Sequence, residues 1–110
     1  MSPRSRPPGS SLGYQATLIL SALAQGAGYG LEVMDATGLS SGTVYPALRR
    51  LEADGLVEGD WEERQGAHQE GRPARRYYRL TPGGEEALGP ALERLRAQQR
   101  VLGLAPDSNG

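Results

Sequence analysis

Cysteine and lysine are both absent from the 110 residues, phenylalanine is absent too, and there is one histidine and one tryptophan. Without cysteine there is no disulfide scaffold, no thiolate nucleophile and no zinc finger. With a single histidine, a metal cluster or a triad with a spare base lacks parts. Long hydrophobic runs are missing as well. The longest apolar stretch, Ala16 to Ala24, is broken by Thr17 and Ser21, and the leading MSPRSRPPGSS has arginines but no apolar core. That pattern is neither a signal peptide nor a membrane span. We therefore expect a cytoplasmic protein with no membrane partner, no cofactor, no metal and no catalytic residues. The length allows one small domain with a limited core, for which a second copy is a natural support.

The net charge of -1 conceals a strong internal contrast. Residues 56–71 sum to -4 and residues 72–81 to +4. A chain without overall basic excess can still bind a polyanion when its cations share one surface. All twelve basic side chains are arginines.

Residues 1–11 and 103–110 read as flexible tails around residues 12–102. Arg4 and Arg6 are candidates for a minor-groove arm, although a disordered tail is the simpler reading. From Leu12, the positions Ala16, Ile19, Leu20, Leu23 and Ala24 follow helical spacing until Gly26 and Gly28. A second, short helix runs over Gly30 to Thr37 and stops at Gly38. A third has Ser40 as N-cap, a Leu39–Val44 staple and a Schellman stop at Gly55–Leu56. Pro46 inside it predicts a distorted first turn or a start near Tyr45.

LVEGDWEE and ARRYYRLT alternate as strands, and the polar RQGAHQEGRP between them predicts a hairpin with a long mobile tip. Thr81 and Pro82 open a last helix whose Leu88, Leu92, Leu95 and Leu102 form a heptad seam, with a kink or restart expected at Pro90. The class is mainly α (α+β): a winged helix-turn-helix over 12–81 followed by a C-terminal dimerisation helix over 82–102.

In such an order the third helix enters the DNA major groove and the hairpin flanks it. Projection at about 100° per residue sends Val44, Leu48 and Leu51 inward and leaves Gly42, Pro46, Arg49 and Ala53 outward. That outward face is small-sided around one central arginine, a shape suited to close approach. Ser40, Ser41 and Thr43 can donate to phosphate or base edges, Tyr45 can reach a phosphate, and Arg49 is placed for guanine O6 and N7. Arg75 and Arg79 read as cross-strand partners of Glu58, Asp60 and Glu62, whereas Arg72 and Arg76 lack obvious partners and are the better phosphate candidates. Arg64 stays open, His68 reads as a solvated loop histidine, and Trp61 reads most simply as core or hairpin-to-helix packing, with effector stacking as the lesser alternative.

The runs Tyr29-Gly30-Leu31-Glu32-Val33, LSSGTVYPALRRLE (39–52), Gly55-Leu56-Val57, Trp61 and GRPARRYYRLT (71–81) with Gly84 resemble the PadR family of bacterial transcriptional regulators. The likeness covers about residues 12–100, and the two long motifs at this separation are specific. It implies a short winged-helix member that binds double-stranded operator DNA as a homodimer, usually as a repressor. By resemblance Ser41, Thr43, Tyr45, Pro46 and Arg49 match the start of the recognition helix, and Arg72, Arg75 and Arg76 match the wing. Leu31 stands where members often carry an aromatic residue, and any small-molecule effector is unspecified. The rival from another class is a winged-helix module that binds protein, which the acidic 56–71 would suit.

Overall fold

The computed structural model describes residues 12–63, 67 and 69–104. Its elements are α1 (Tyr14–Ala24), α2 (Gly30–Thr37), α3 (Ser41–Ala53), β1 (Val57–Trp61), β2 (Arg76–Leu80) and α4 (Pro82–Val101). This is the expected winged-helix order. Arg4, Arg6, Arg64 and His68 lie outside the described residues.

Local chemistry accounts for most of the boundaries. α1 buries Ile19, Leu20, Ala22 and Leu23, and its one buried hydroxyl, Thr17, donates to the Gly13 carbonyl at 2.8 Å. Gly26, at φ 116°, then lets the Ala27 amide reach back to the Ala22 carbonyl at 3.0 Å. α2 closes on Gly38 at φ 75°, a left-handed conformation that costs a side chain roughly 1 kcal/mol or more. α3 starts at Ser41 and not at Tyr45. Its first turn tightens, since the Thr43 and Val44 amides both bond the Ser40 carbonyl, at 3.0 and 2.9 Å. Pro46 removes the donor for the Gly42 carbonyl, but Gly42 is exposed and water can replace it. Ser40 occupies the cap position, yet its hydroxyl meets Thr43 Oγ1 at 3.4 Å and no free amide. The far end is the expected Schellman stop: Gly55 takes φ 78° and the Leu56 amide bonds the Leu51 carbonyl at 2.9 Å.

The strands pair antiparallel with Val57 opposite Leu80, Gly59 opposite Tyr78 and Trp61 opposite Arg76. A third, minimal edge joins them. Tyr29 bridges Tyr77, and the Tyr78 amide bonds the Gly28 carbonyl at 2.8 Å, so the loop before α2 is sewn to β2. The hairpin tip was expected as a loop, but Ala67 sits in a helical turn, is buried, and accepts from the Arg72 amide at 3.2 Å across the left-handed Gly71.

α4 is capped as expected, with Thr81 accepting from the Gly84 amide at 3.0 Å. The chain does not restart at Pro90, and the helix runs through it as one element. Gly89 has no Cβ to clash with the proline ring, and the orphaned carbonyl is that of exposed Glu86. The core gathers Ile19, Leu20, Val33, Val44, Leu48 and Val57 with Leu88. Leu88 is buried within its own domain, where α1 lies against α4. Leu92 packs on the same cluster, Leu95 is half-buried, and only the last turn presents bare apolar groups: Val101, Leu102 and, just beyond it, Leu104. Among the described residues no helix is long and apolar enough to cross a membrane.

Candidate nucleic-acid interface

The inward residues of α3 are those that periodicity selects: Val44, Leu48 and Leu51 are buried. Its outward face exposes Ser41, Gly42, Tyr45, Pro46, Arg49, Arg50 and Ala53, with Thr43 half-buried and Ser40 exposed just ahead. Arg49 has no carboxylate partner among the described residues. Tyr45 does not project freely. Its ring lies over Gly30 at the start of α2, where any Cβ would collide with the ring, so glycine there is what lets α2 and α3 close up.

The hairpin arginines divide unequally. Arg79 pairs across the strands with Glu58 at 2.6 Å and Asp60 at 2.7 Å, as the alternation implied. Arg72 was expected to lack a partner and instead grips Glu62 through both terminal nitrogens, at 2.6 and 2.7 Å, and Glu70 through Nε at 2.9 Å. The turn at Gly71 folds Arg72 back along its own hairpin. Glu62 also accepts the Arg75 amide at 3.0 Å. The hydrogen bond from Arg72, above all, holds the Glu62 carboxyl down at about 2, well below its ordinary 4.5, while Arg72 is shifted upward in return.

Arg76 was also expected to be free, and its Nη2 meets Glu52 of α3 at 2.6 Å. Its guanidinium lies 5.4 Å from the Trp61 ring centre and 5.7 Å from that of Tyr78. It reaches there by crossing Gly59, where a Cβ would come within 2.9 Å of Arg76 Nε. Arg75 departs in the opposite sense. Expected to face an acidic neighbour, its guanidinium lies 4.2 Å over the Tyr29 ring, which in turn meets Tyr77 edge-on at 5.3 Å. Trp61, expected as packing, is 66% exposed because β1 runs past the edge of the core.

These placements leave a cleft of about 870 Å3 between α2, α3 and the hairpin. Tyr45 and Arg49 line one side, and Arg72, Arg75 and Arg76 line the other. Five of the nine expected contact residues thus converge on one concavity, while Ser40, Ser41, Thr43 and Pro46 sit at the start of α3 outside its lining. Sequence reasoning missed Glu52 and Tyr29. Tyr29, a strand-favouring residue between two glycines, carried a weak signal for its bridge; nothing local marked Glu52 as the partner of a residue 24 positions on.

Comparison with known proteins agrees with this architecture. The chain is 46% identical over 68 residues to the Transcriptional regulator Rv3488 of Mycobacterium tuberculosis, an overlap of 59% of this chain and 56% of that one. The matched region spans little more than half the length of that curated relative. Among solved structures, a PadR family transcription regulator from Clostridium difficile is 29% identical with a TM-score of 0.69, covering 83% of this chain and 96% of the other. A transcriptional regulator from Clostridium thermocellum is 28% identical with a TM-score of 0.66, covering 86% and 92%. Residues 19–90 match the Transcriptional regulator PadR-like family. That match begins within α1, passes through α3 and the hairpin and ends in α4, taking in every element that builds the cleft, and the chain belongs to the PadR-like family of transcriptional regulators.

Proposed function

We propose that this regulator is a sequence-specific, cytoplasmic DNA-binding repressor that works as a homodimer on operator DNA. The observation that carries the reading is the outward face of α3: an exposed surface with the Arg49 guanidinium at its centre among Gly42, Pro46 and Ala53, Tyr45 and Arg50 at its borders, and no carboxylate paired with Arg49 among the described residues. Such a helix can approach base edges closely, with Arg49 reaching guanine and Ser40, Ser41 and Thr43 near the phosphates. Tyr45, Pro46 and the hairpin arginines Arg72, Arg75 and Arg76 flank it along the backbone path. Arg72 and Arg76 must share their charge with Glu62, Glu70 and Glu52, so phosphates compete there with built-in anions. The same pairing weakens the protein-binding rival. Glu58 and Asp60 share Arg79 while Glu62 and Glu70 share Arg72, so about half of this acidic charge is met within the hairpin.

A second copy fits the far end of α4. Leu95, half-buried, and Leu102, exposed, continue the seam that Leu88 and Leu92 begin inside the domain, and Val101 and Leu104 add apolar area. Two copies joined there would present two recognition helices to successive major grooves.

Fluorescence anisotropy of labelled DNA from upstream of the gene, against scrambled DNA at two salt concentrations, tests the reading. Tight, sequence-dependent binding that falls steeply with salt is expected. Arg49→Ala should weaken it by about 5- to 150-fold, the value of one good bidentate base contact. Binding that ignores both salt and Arg49 would sink the proposal.

A further inference from the structure

Ion pairs among the described residues stay inside the hairpin with one exception. Arg76 leaves it and meets Glu52, in the last turn of α3, at 2.6 Å. The place of this contact matters as much as its chemistry. Arg76 opens β2 and stands opposite Trp61, the last residue of β1, so it lies at the outer end of the paired strands. At their root the chain is held by the backbone bond from Leu56 to Leu51 and by the bonds of Thr81 to Gly55 and Leu56. A strip fastened to a helix only at its root can swing, and a second tie at the outer end fixes its angle.

Arg76 is confined on its other sides too. Its guanidinium is 5.4 Å from the Trp61 ring centre and 5.7 Å from that of Tyr78, inside the reach of about 6 Å at which a cation is drawn to an aromatic face. Beneath it lies the bare backbone of Gly59, where a Cβ would come within 2.9 Å of both Nε and Nη2. To serve a DNA phosphate, Arg76 would have to give up the carboxylate and both rings. It would also leave Glu52, partly buried, uncompensated beside a polyanion. Arg75 faces no such cost, since it has no carboxylate partner among the described residues and rests on the Tyr29 ring alone.

We propose that Arg76 is a positioning residue and not a phosphate contact: tied to Glu52 across Gly59, it fixes the angle of the hairpin to α3, so that the two meet DNA together. At Arg76 the competition between phosphate and built-in anion is decided for the anion. The consequence for binding rests on the DNA reading above. The tie itself does not.

Gly59→Ala tests this without changing any charge. Gly59 is not at positive φ, and the new Cβ displaces only the mobile end of a side chain. The hairpin stays attached through its root and through the bridge between Tyr29 and Tyr77, so the variant keeps the fold, which a cooperative circular-dichroism melt verifies. In full-chain titrations of labelled DNA from upstream of the gene, Gly59→Ala should bind about fivefold more weakly, the upper end for a partly exposed ion pair. The slope of log affinity against log salt should not change. On a Glu52→Ala background, where the tie is already gone, Gly59→Ala should cost nothing further. Were Arg76 a phosphate contact, freeing it would tighten binding and steepen the slope by about 0.9. Affinity at or above the parent's, a changed slope, or a Gly59→Ala loss that recurs in full on the Glu52→Ala background overturns the proposal. Trp61, the one tryptophan of the chain, reads the tie itself. Acrylamide quenching of its emission should rise in Gly59→Ala and in Glu52→Ala as the guanidinium leaves the indole, and quenching at the parent's level in either variant overturns the tie. If the parent binds no DNA at the outset, the DNA reading fails and the positioning role with it, while the quenching result still decides the tie.

Discussion

Gly84→Ala is a change whose sign ordinary helix propensity gets wrong. In an exposed helix interior, alanine is better than glycine by roughly 0.5–1 kcal/mol. Gly84 lies in the first turn of α4, is buried, and has φ in no special region. A Cβ there would run into the carbonyl oxygen of Leu56, and that oxygen cannot swing aside because it accepts the Thr81 amide at 3.1 Å. Relief requires the start of α4 to lift from the turn between α3 and β1. Overpacking of this kind costs typically 1–3 kcal/mol, and more when backbone must move.

Gly83, the neighbour, supplies the control. Its added Cβ would lie 3.6 Å from the Gly55 carbonyl and from Thr81 Oγ1, ordinary contact distances. Gly83→Ala should be neutral or stabilising by up to about 0.5–1 kcal/mol. For a domain of this size each kcal/mol moves the midpoint by about 4–8 °C, so Gly84→Ala should melt on the order of 5–20 °C below the parent and Gly83→Ala level with it or a few degrees above. The assay is thermal melting by circular dichroism at one fixed protein concentration, since any dimer makes Tm concentration-dependent. A Gly84→Ala protein that melts with or above the parent would mean that α4 does not sit against Leu56 as described.

Glu62 and Leu48 carry two further expected outcomes. Glu62 is favoured as carboxylate in the folded hairpin, so its contribution is complete above pH 4.5 and is lost as pH falls from there toward about 2; acid titration followed by hairpin NMR shifts should show this window, and Glu62→Gln should flatten it. Leu48→Ala removes a fully buried side chain from the inner face of α3 and should cost about 2–5 kcal/mol, read as a lower urea midpoint at unchanged m.

What was legible in the sequence is what short-range chemistry decides. The Schellman stop at Gly55–Leu56, the Thr81 cap and the pairing of Arg79 with Glu58 and Asp60 each follow from residues a few positions apart or from strict strand alternation. The inward and outward faces of α3 followed from periodicity alone. Arg72 and Arg76 were misread because their partners are set by a folded-back tip and by a helix 24 residues upstream, distances at which pattern carries no register. Leu88 fitted a heptad, but a heptad marks a face without saying what covers it, and α1 covers it first. The exposure of Trp61 was hidden for the same reason, since alternation gives the side of a strand and not where the core ends.

The bonds from Thr81 to Gly55 and Leu56 do more than cap a helix. Thr81 Oγ1 donates to the Gly55 carbonyl at 2.6 Å, so the chain returns, 26 positions on, to the place where it left α3. The hairpin is an excursion closed at its root by a clasp. Because the two ends of the excursion are pinned, adding residues at its tip costs only the slow logarithmic growth of loop entropy. Length there can drift while the root stays closed.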